Sequence, residues 1–299
     1  MTDIWVCSNC ASVNRQRSSS CYKCGAPQTA ATGAMAEHRV EAAVANRTVR
    51  RYRGSTLRFL IASTLVLAVA TLGLVILLDS LRDVAAIRNA LVAAVTTQTS
   101  SRDAFTQGAD RLAGAEQLHF VLLVAAVAAF GGWLSRVVTN IPTLGGGLPG
   151  TTPTKAFIYP FIPLWNLIKV PGMMQDVMYR LDPKAGGFFM VLIAWFGLVG
   201  SWFVSLIGSW VITFLGVRDM SAAARAGSTK GILDAAVRAF DQLVALEVAT
   251  AAMVAGGAVV LVLVMARIER RARARDAEVR TAVQAAVATD AMGAAPAEA

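Results

Sequence analysis

The sequence predicts an all-α membrane protein: four transmembrane helices plus an interfacial amphipathic segment, with a small four-cysteine zinc module at the N-terminus. Three observations predict it. The 299 residues are 56% hydrophobic and only 16% charged, with a mean hydropathy of +0.55, and so carry more apolar surface than a soluble fold of this size can cover. The apolar residues are concentrated in four runs long enough to cross a bilayer. All four cysteines fall within the first 24 residues, as two Cys-x-x-Cys pairs.

The module occupies residues 1–27. Cys7-x-x-Cys10 and Cys21-x-x-Cys24 each make a tight knuckle that aims two thiolates at one tetrahedral ion; two knuckles complete a closed structural site for a single Zn2+. So short a segment has almost no core, and metal binding is what would fold it. Two disulfides are the alternative, which requires an oxidising compartment. Trp5, Asn14 and the cysteine spacing resemble the Ran-binding-protein-type zinc finger over Trp5 to Cys24. The resemblance implies that Trp5 packs on a knuckle and that Asn14 bridges backbone groups of two hairpins. The binding surfaces of that family do not carry over. Ala11-Ser12 stand where ubiquitin-binding members have Thr-Phe, and Arg15 stands where RNA-binding members stack a base on an aromatic. Nucleic acid is therefore not an expected partner. Arg15, Arg17 and Lys23 read as a solvated face or as a docking surface for an acidic protein.

Residues 28–58 read as a flexible, basic linker, in which Glu37 to Arg53 forms a weak helix with Val40 and Val44 on one face. The transmembrane domain covers 59–267, with spans at Phe59–Leu78, Leu118–Val138, Gly187–Leu215 and Leu243–Ala266. The first is 20 residues without a charge, enough for a hydrocarbon core of about 30 Å. Arg136 lies near the end of the second, where it can snorkel. Only Glu247 interrupts the fourth. Backbone polar groups in lipid must be paired within the segment, which makes all four helical. Residues 268–299 read as a basic helix and a disordered tail ending MGAAPAEA.

Arginines set the orientation. Arg47, Arg50, Arg51, Arg53 and Arg58 precede the first span, and Arg267, Arg270, Arg271, Arg273 and Arg275 follow the last. Both termini read as cytoplasmic in the plasma membrane, which demands an even number of spans. The stretches Asp79–Gln117 and Gly216–Gln242 count as loops in this scheme.

Between the second and third spans, residues 157–181 read as interfacial. Pro160 and Pro163 break the helix, and Tyr159 and Trp165 suit headgroup depth. Beyond Pro171, the residues Met173, Met174, Val177, Met178 and Leu181 recur at helical spacing, with Gln175, Asp176 and Arg180 opposite. A fifth, kinked span from Ala156 to Met178 is the alternative; it would bury Asn166, Lys169 and Asp176 and put the final arginines outside. The stretch Phe161-Ile-Pro163-Leu-Trp165-Asn166-Leu-Ile-Lys169 followed by Pro171 resembles the signature of a bacterial membrane family, domain-of-unknown-function family 4328. That resemblance covers roughly Phe59 to Arg267 and implies several spans but no activity.

The remaining signals are weaker. Glu247 reads either as an ion or proton site or as a carboxylate near the outer interface. Gly197, Ser201, Ser205 and Ser209, with Gly200 and Gly208, present a small-residue face for helix packing, inside the bundle or across a homo- or hetero-oligomer. Trp195, Trp202 and Trp210 suit lipid anchoring. Gly145-Gly146-Gly147 reads as a flexible linker. His38 and His119 have no metal-ligating neighbours at the right spacing, and no catalytic motif is present, so no enzyme is expected. The layout favours an adaptor that recruits a cytoplasmic partner, with a transporter or channel subunit as the alternative.

Overall fold

The structure, a computed structural model, describes residues 4–6, 13–15, 52–97, 102–182 and 188–293. Near the N-terminus β1 (Ile4–Val6) pairs antiparallel with β2 (Val13–Arg15), with Trp5 opposite Asn14. Cys7, Cys10, Cys21 and Cys24, and all of the 28–58 linker before Tyr52, lie outside the described residues. From Thr56 onward the described chain is mostly helical. It runs through α1 (Thr56–Thr97), α2 (Arg102–Asn140), the short α3 (Pro153–Ile158), α4 (Pro163–Leu181) and α5 (Phe188–Trp195). A π-helical turn, Phe196–Gly200, joins α5 to α6 (Ser201–Arg225), and α7 (Thr229–Gly293) follows.

Among the described residues four helices are long and apolar enough to cross a membrane, within Thr56–Ala90, Gly114–Asn140, Phe189–Arg225 and Thr229–Ala285. Each contains one of the apolar runs, the third from Phe189 on. The helices extend well past those runs, however. Asp79–Thr97 and Gly216–Arg225 are helical rather than loop, and Met292 and Gly293 still belong to α7 rather than to a disordered tail. Charge ends a hydropathic run without ending a helix, and the Ala, Leu and Arg of these flanks are strong helix formers.

The described residues within Met1–Ile61, Ala128–Phe189 and Leu263–Ala299 form one compact unit; those within Ala62–Val127 and Met190–Val262 form a second. In the first, α2 buries Trp133, Leu134, Val137 and Val138, and α4 buries Val170, Met173, Met174, Val177, Met178 and Leu181. The α4 stripe has the spacing read from the sequence, but protein covers it, so this face does not lie on the membrane. Removing one such side chain from water contributes about 1.5–3 kcal/mol. The apolar residues left open in the segment are upstream, with Phe157, Ile158, Phe161, Trp165 and Ile168 all exposed.

In the second unit α6 and α7 form a helical hairpin. The turn between them occupies 226–228: Gly227 takes a left-handed φ of 68°, and Ser228 Oγ accepts from the Gly231 N–H at 3.0 Å, capping α7. Glycines then let the helices close on each other. A methyl group on Gly216 would come within 2.8 Å of Ala239 Cβ, one on Gly208 within 2.8 Å of the Leu246 side chain, and one on Gly197 within 2.7 Å of Gly257 Cα. The small-residue face of the third span is thus filled within the chain by α7 at these positions. Gly197 lies in the π-helical turn, whose extra residue per turn suits a backbone-to-backbone approach. Trp195 is only 5% exposed, because it shares the inward face of α5 with Val191 and Ala194, whereas Trp202 and Trp210 are exposed as lipid anchors would be.

Candidate functional site

The first unit carries the densest set of buried polar groups among the described residues. Three latches can be built from their sequences.

The first involves the glycine loop. After α2, a 3-10 turn (Pro142–Leu144) ends on Gly145 with φ 73°, and Gly147 has φ 69°. Both need the left-handed region that glycine reaches freely. A methyl on Gly146 would lie 2.6 Å from the Ile141 side chain. The loop is not a free linker. Arg180, 6% exposed on α4, donates to the Gly146 carbonyl at 3.2 Å and pairs with Asp176 at 2.8 Å. Asp176 in turn accepts from the Gly150 N–H at 3.1 Å, and Arg275 of α7 donates to the Leu144 carbonyl at 3.2 Å. Arg180 therefore sits inside rather than on an outer face, because the buried Gly146 carbonyl requires a partner there, while Asp176 stays half-exposed beside it.

The second latch is the proline–asparagine corner. Pro163 opens α4 at a position where no N–H is needed. Asn166 Nδ2 donates to the Pro160 carbonyl at 2.9 Å, and its backbone N–H to Ile162 at 2.7 Å. Trp165 stacks on Tyr159 at 5.3 Å between ring centroids, and Lys169 Nζ lies 5.7 Å from the Trp165 ring. The Pro-x-x-Asn signature is thus a self-supporting corner.

The third latch was not visible in the sequence. Glu269 is fully buried on α7 and accepts from Ser55 Oγ at 2.8 Å and Thr56 Oγ1 at 2.9 Å, where α1 begins. Arg273 Nε lies 4.0 Å away. Buried Asp276 pairs with Arg280, and Arg271 with Asp182 at 3.1 Å. Tyr52 lies among these groups. Its phenol is raised above the ordinary value of 10.0, first by burial and then by the carboxylates of Glu269 and Asp276, against a hydrogen bond with Ser55 and the charge of Arg280. One signal could have found the two carboxylates: Met265, Ile268, Ala272 and Val279 mark a buried seam on α7, and Asp276 falls on it with Glu269 beside it.

Chemically, this arrangement fixes helix ends. Each carboxylate is held by hydroxyls or guanidiniums, and Arg180 and Arg275 close on backbone carbonyls. Glu247 is exposed on α7, which begins well before it at Thr229. In the second unit a groove of about 690 Å³ runs beside the Gly197–Gly257 contact, lined by apolar residues including Leu192, Ile193, Phe196, Met253 and Val260. Among the described residues no cluster of three His, Cys, Asp or Glu side chains could hold a metal ion.

Membrane-length helices with polar latches at their ends define a multi-pass helical membrane protein. Within that class, residues 96–270 match the model of the family described as "Domain of unknown function (DUF4328)", and the chain belongs to that family. The curated proteins and the solved structures contain no match to it.

Proposed function

We propose that the protein is a membrane-anchored adaptor. Its helices hold it in the plasma membrane with both termini cytoplasmic. Its N-terminal arm, folded around one structural Zn2+ by Cys7, Cys10, Cys21 and Cys24, recruits a cytoplasmic protein. The observation that carries this reading is the antiparallel pairing of Ile4–Val6 with Val13–Arg15. Cys7 and Cys10 lie in the segment joining these strands, where a zinc knuckle would be, and Trp5 stands opposite Asn14. The donor set fits zinc: four thiolates in two Cys-x-x-Cys pairs match the ion's tetrahedral preference. The latches of the first unit support a scaffold role, because their polar groups are engaged in holding helix ends. The side chains a transport reading would use have local partners or open surroundings: Asn166 holds Pro160, Lys169 rides on Trp165, and Glu247 is exposed.

The test is metal content and co-purification of the full chain. One zinc per chain is expected, lost in Cys7→Ser while helicity persists, and deletion of residues 1–36 should remove the partner. A metal-free wild-type chain, or retention of every partner after the deletion, would overturn the reading.

A further inference from the structure

Three positions on one face of α2, each a turn apart, hold arginines together. Gly132 accepts from Arg58 Nη1 at 3.0 Å. Asn140 clasps the main chain of Arg53, donating from Nδ2 to its carbonyl at 2.6 Å and accepting from its N–H at 3.4 Å. Between them on the same face stands Arg136, whose Nε is buried without a hydrogen-bond partner. Arg53 and Arg58 are near enough for their charges to act on Arg136, and no described carboxylate is among the groups that do. Like charges gathered this way repel, and an isolated buried donor is costly. Both costs fall if an anion with several oxygens joins the cluster, and guanidinium forks match a phosphate.

We propose that Arg53, Arg58 and Arg136 form a binding site for the phosphate of an anionic phospholipid headgroup. The lipid source is argued from the neighbours of Arg58. Leu57, Leu60 and Ile61 are 71%, 54% and 47% exposed at the start of a helix long and apolar enough to cross a membrane. They flank Arg58 on the same helix, so an acyl chain whose headgroup meets Arg58 has open apolar surface beside it. A free phosphate would use the forks and ignore that surface. The site is independent of the adaptor reading, since it requires only that the helices lie in a bilayer.

The experiment is native mass spectrometry of the full chain in detergent, titrated separately with phosphatidylglycerol, phosphatidylcholine and inorganic phosphate. Phosphatidylglycerol should bind, and phosphatidylcholine should bind about tenfold more weakly or worse. Arg58→Gln and Arg136→Gln should each weaken phosphatidylglycerol binding about five-fold, the effect of one basic group at a charged headgroup. Arg136→Lys keeps the charge without the fork and should fall between. Arg225→Gln, an exposed arginine on α6, should leave binding unchanged. Should Arg136→Gln not fold, Arg53→Gln carries the test, because Arg53 meets Asn140 through its main chain and its side chain is exposed. An equal loss in Arg225→Gln would show attraction to net charge alone and overturn the site. Inorganic phosphate displacing the lipid at matched concentration would overturn the headgroup assignment.

Discussion

Each of the two units coheres internally by its own means. The first relies on buried polar groups: Glu269 gathers two hydroxyls at the start of α1, and Arg180 closes on the glycine loop. The second relies on missing side chains: at Gly197, Gly208 and Gly216 the absence of a Cβ lets α6 and its adjoining turn meet α7. Its surface carries large open apolar side chains, with Phe120, Trp210 and Phe214 between 66% and 72% exposed. The difference follows from the solvent. Between helices surrounded by hydrocarbon there is no hydrophobic drive, so dispersion at short range must hold them. Where polar groups can be fully satisfied, they fix geometry more sharply than packing does.

The largest effect should come from Glu269→Ala. It leaves the buried Ser55 hydroxyl and the half-buried Thr56 hydroxyl without their acceptor, and about 2–4 kcal/mol of stability should be lost in thermal unfolding in detergent. Glu269→Gln keeps an acceptor and should lose distinctly less. If both variants unfolded like wild type, the first unit would not depend on its polar latches. Gly197→Ala should follow at about 1–3 kcal/mol, because the added methyl meets backbone on α7 that must shift. The same substitution at Gly132, where a methyl meets nothing within 4 Å, should be nearly neutral and serves as the control. The smallest effect concerns pH. The folded state holds the Tyr52 proton more tightly than the unfolded chain does, so its contribution is complete below pH 10.0 and is lost as pH rises through the folded value. Tyr52→Phe cannot ionise and should flatten the fall in stability above that pH. An unchanged alkaline limb would separate Tyr52 from the Glu269 cluster.

Much of this architecture was legible in the sequence. The four spans could be read because twenty residues such as Phe59–Leu78 carry no charge at all, and the α4 stripe because its apolar spacing fits only a helix. What covers that stripe was not legible, since periodicity names a buried face without naming its partner. Charge does not punctuate these helices: Asp79 and Asp83 end the apolar run while α1 continues to Thr97. Glu269 and Asp276 stand in a basic stretch that resembles a solvated surface, and the partners of Glu269, Ser55 and Thr56, lie more than two hundred residues away in sequence. The glycine triplet looked loose because its order comes from Arg180 and Arg275, which lie far along the chain. The zinc ligands were read from spacing alone and lie outside the described residues.

The hairpin turn at 226–228 has a consequence for how the last two helices come together. With so few residues to close, the first meeting, Gly216 with Ala239, loses little chain entropy. It then brings Gly208 to Leu246, and that contact brings Gly197 to Gly257. Pairing can thus advance like a zip from the turn outward, each new contact closing only a short stretch beyond the one before it.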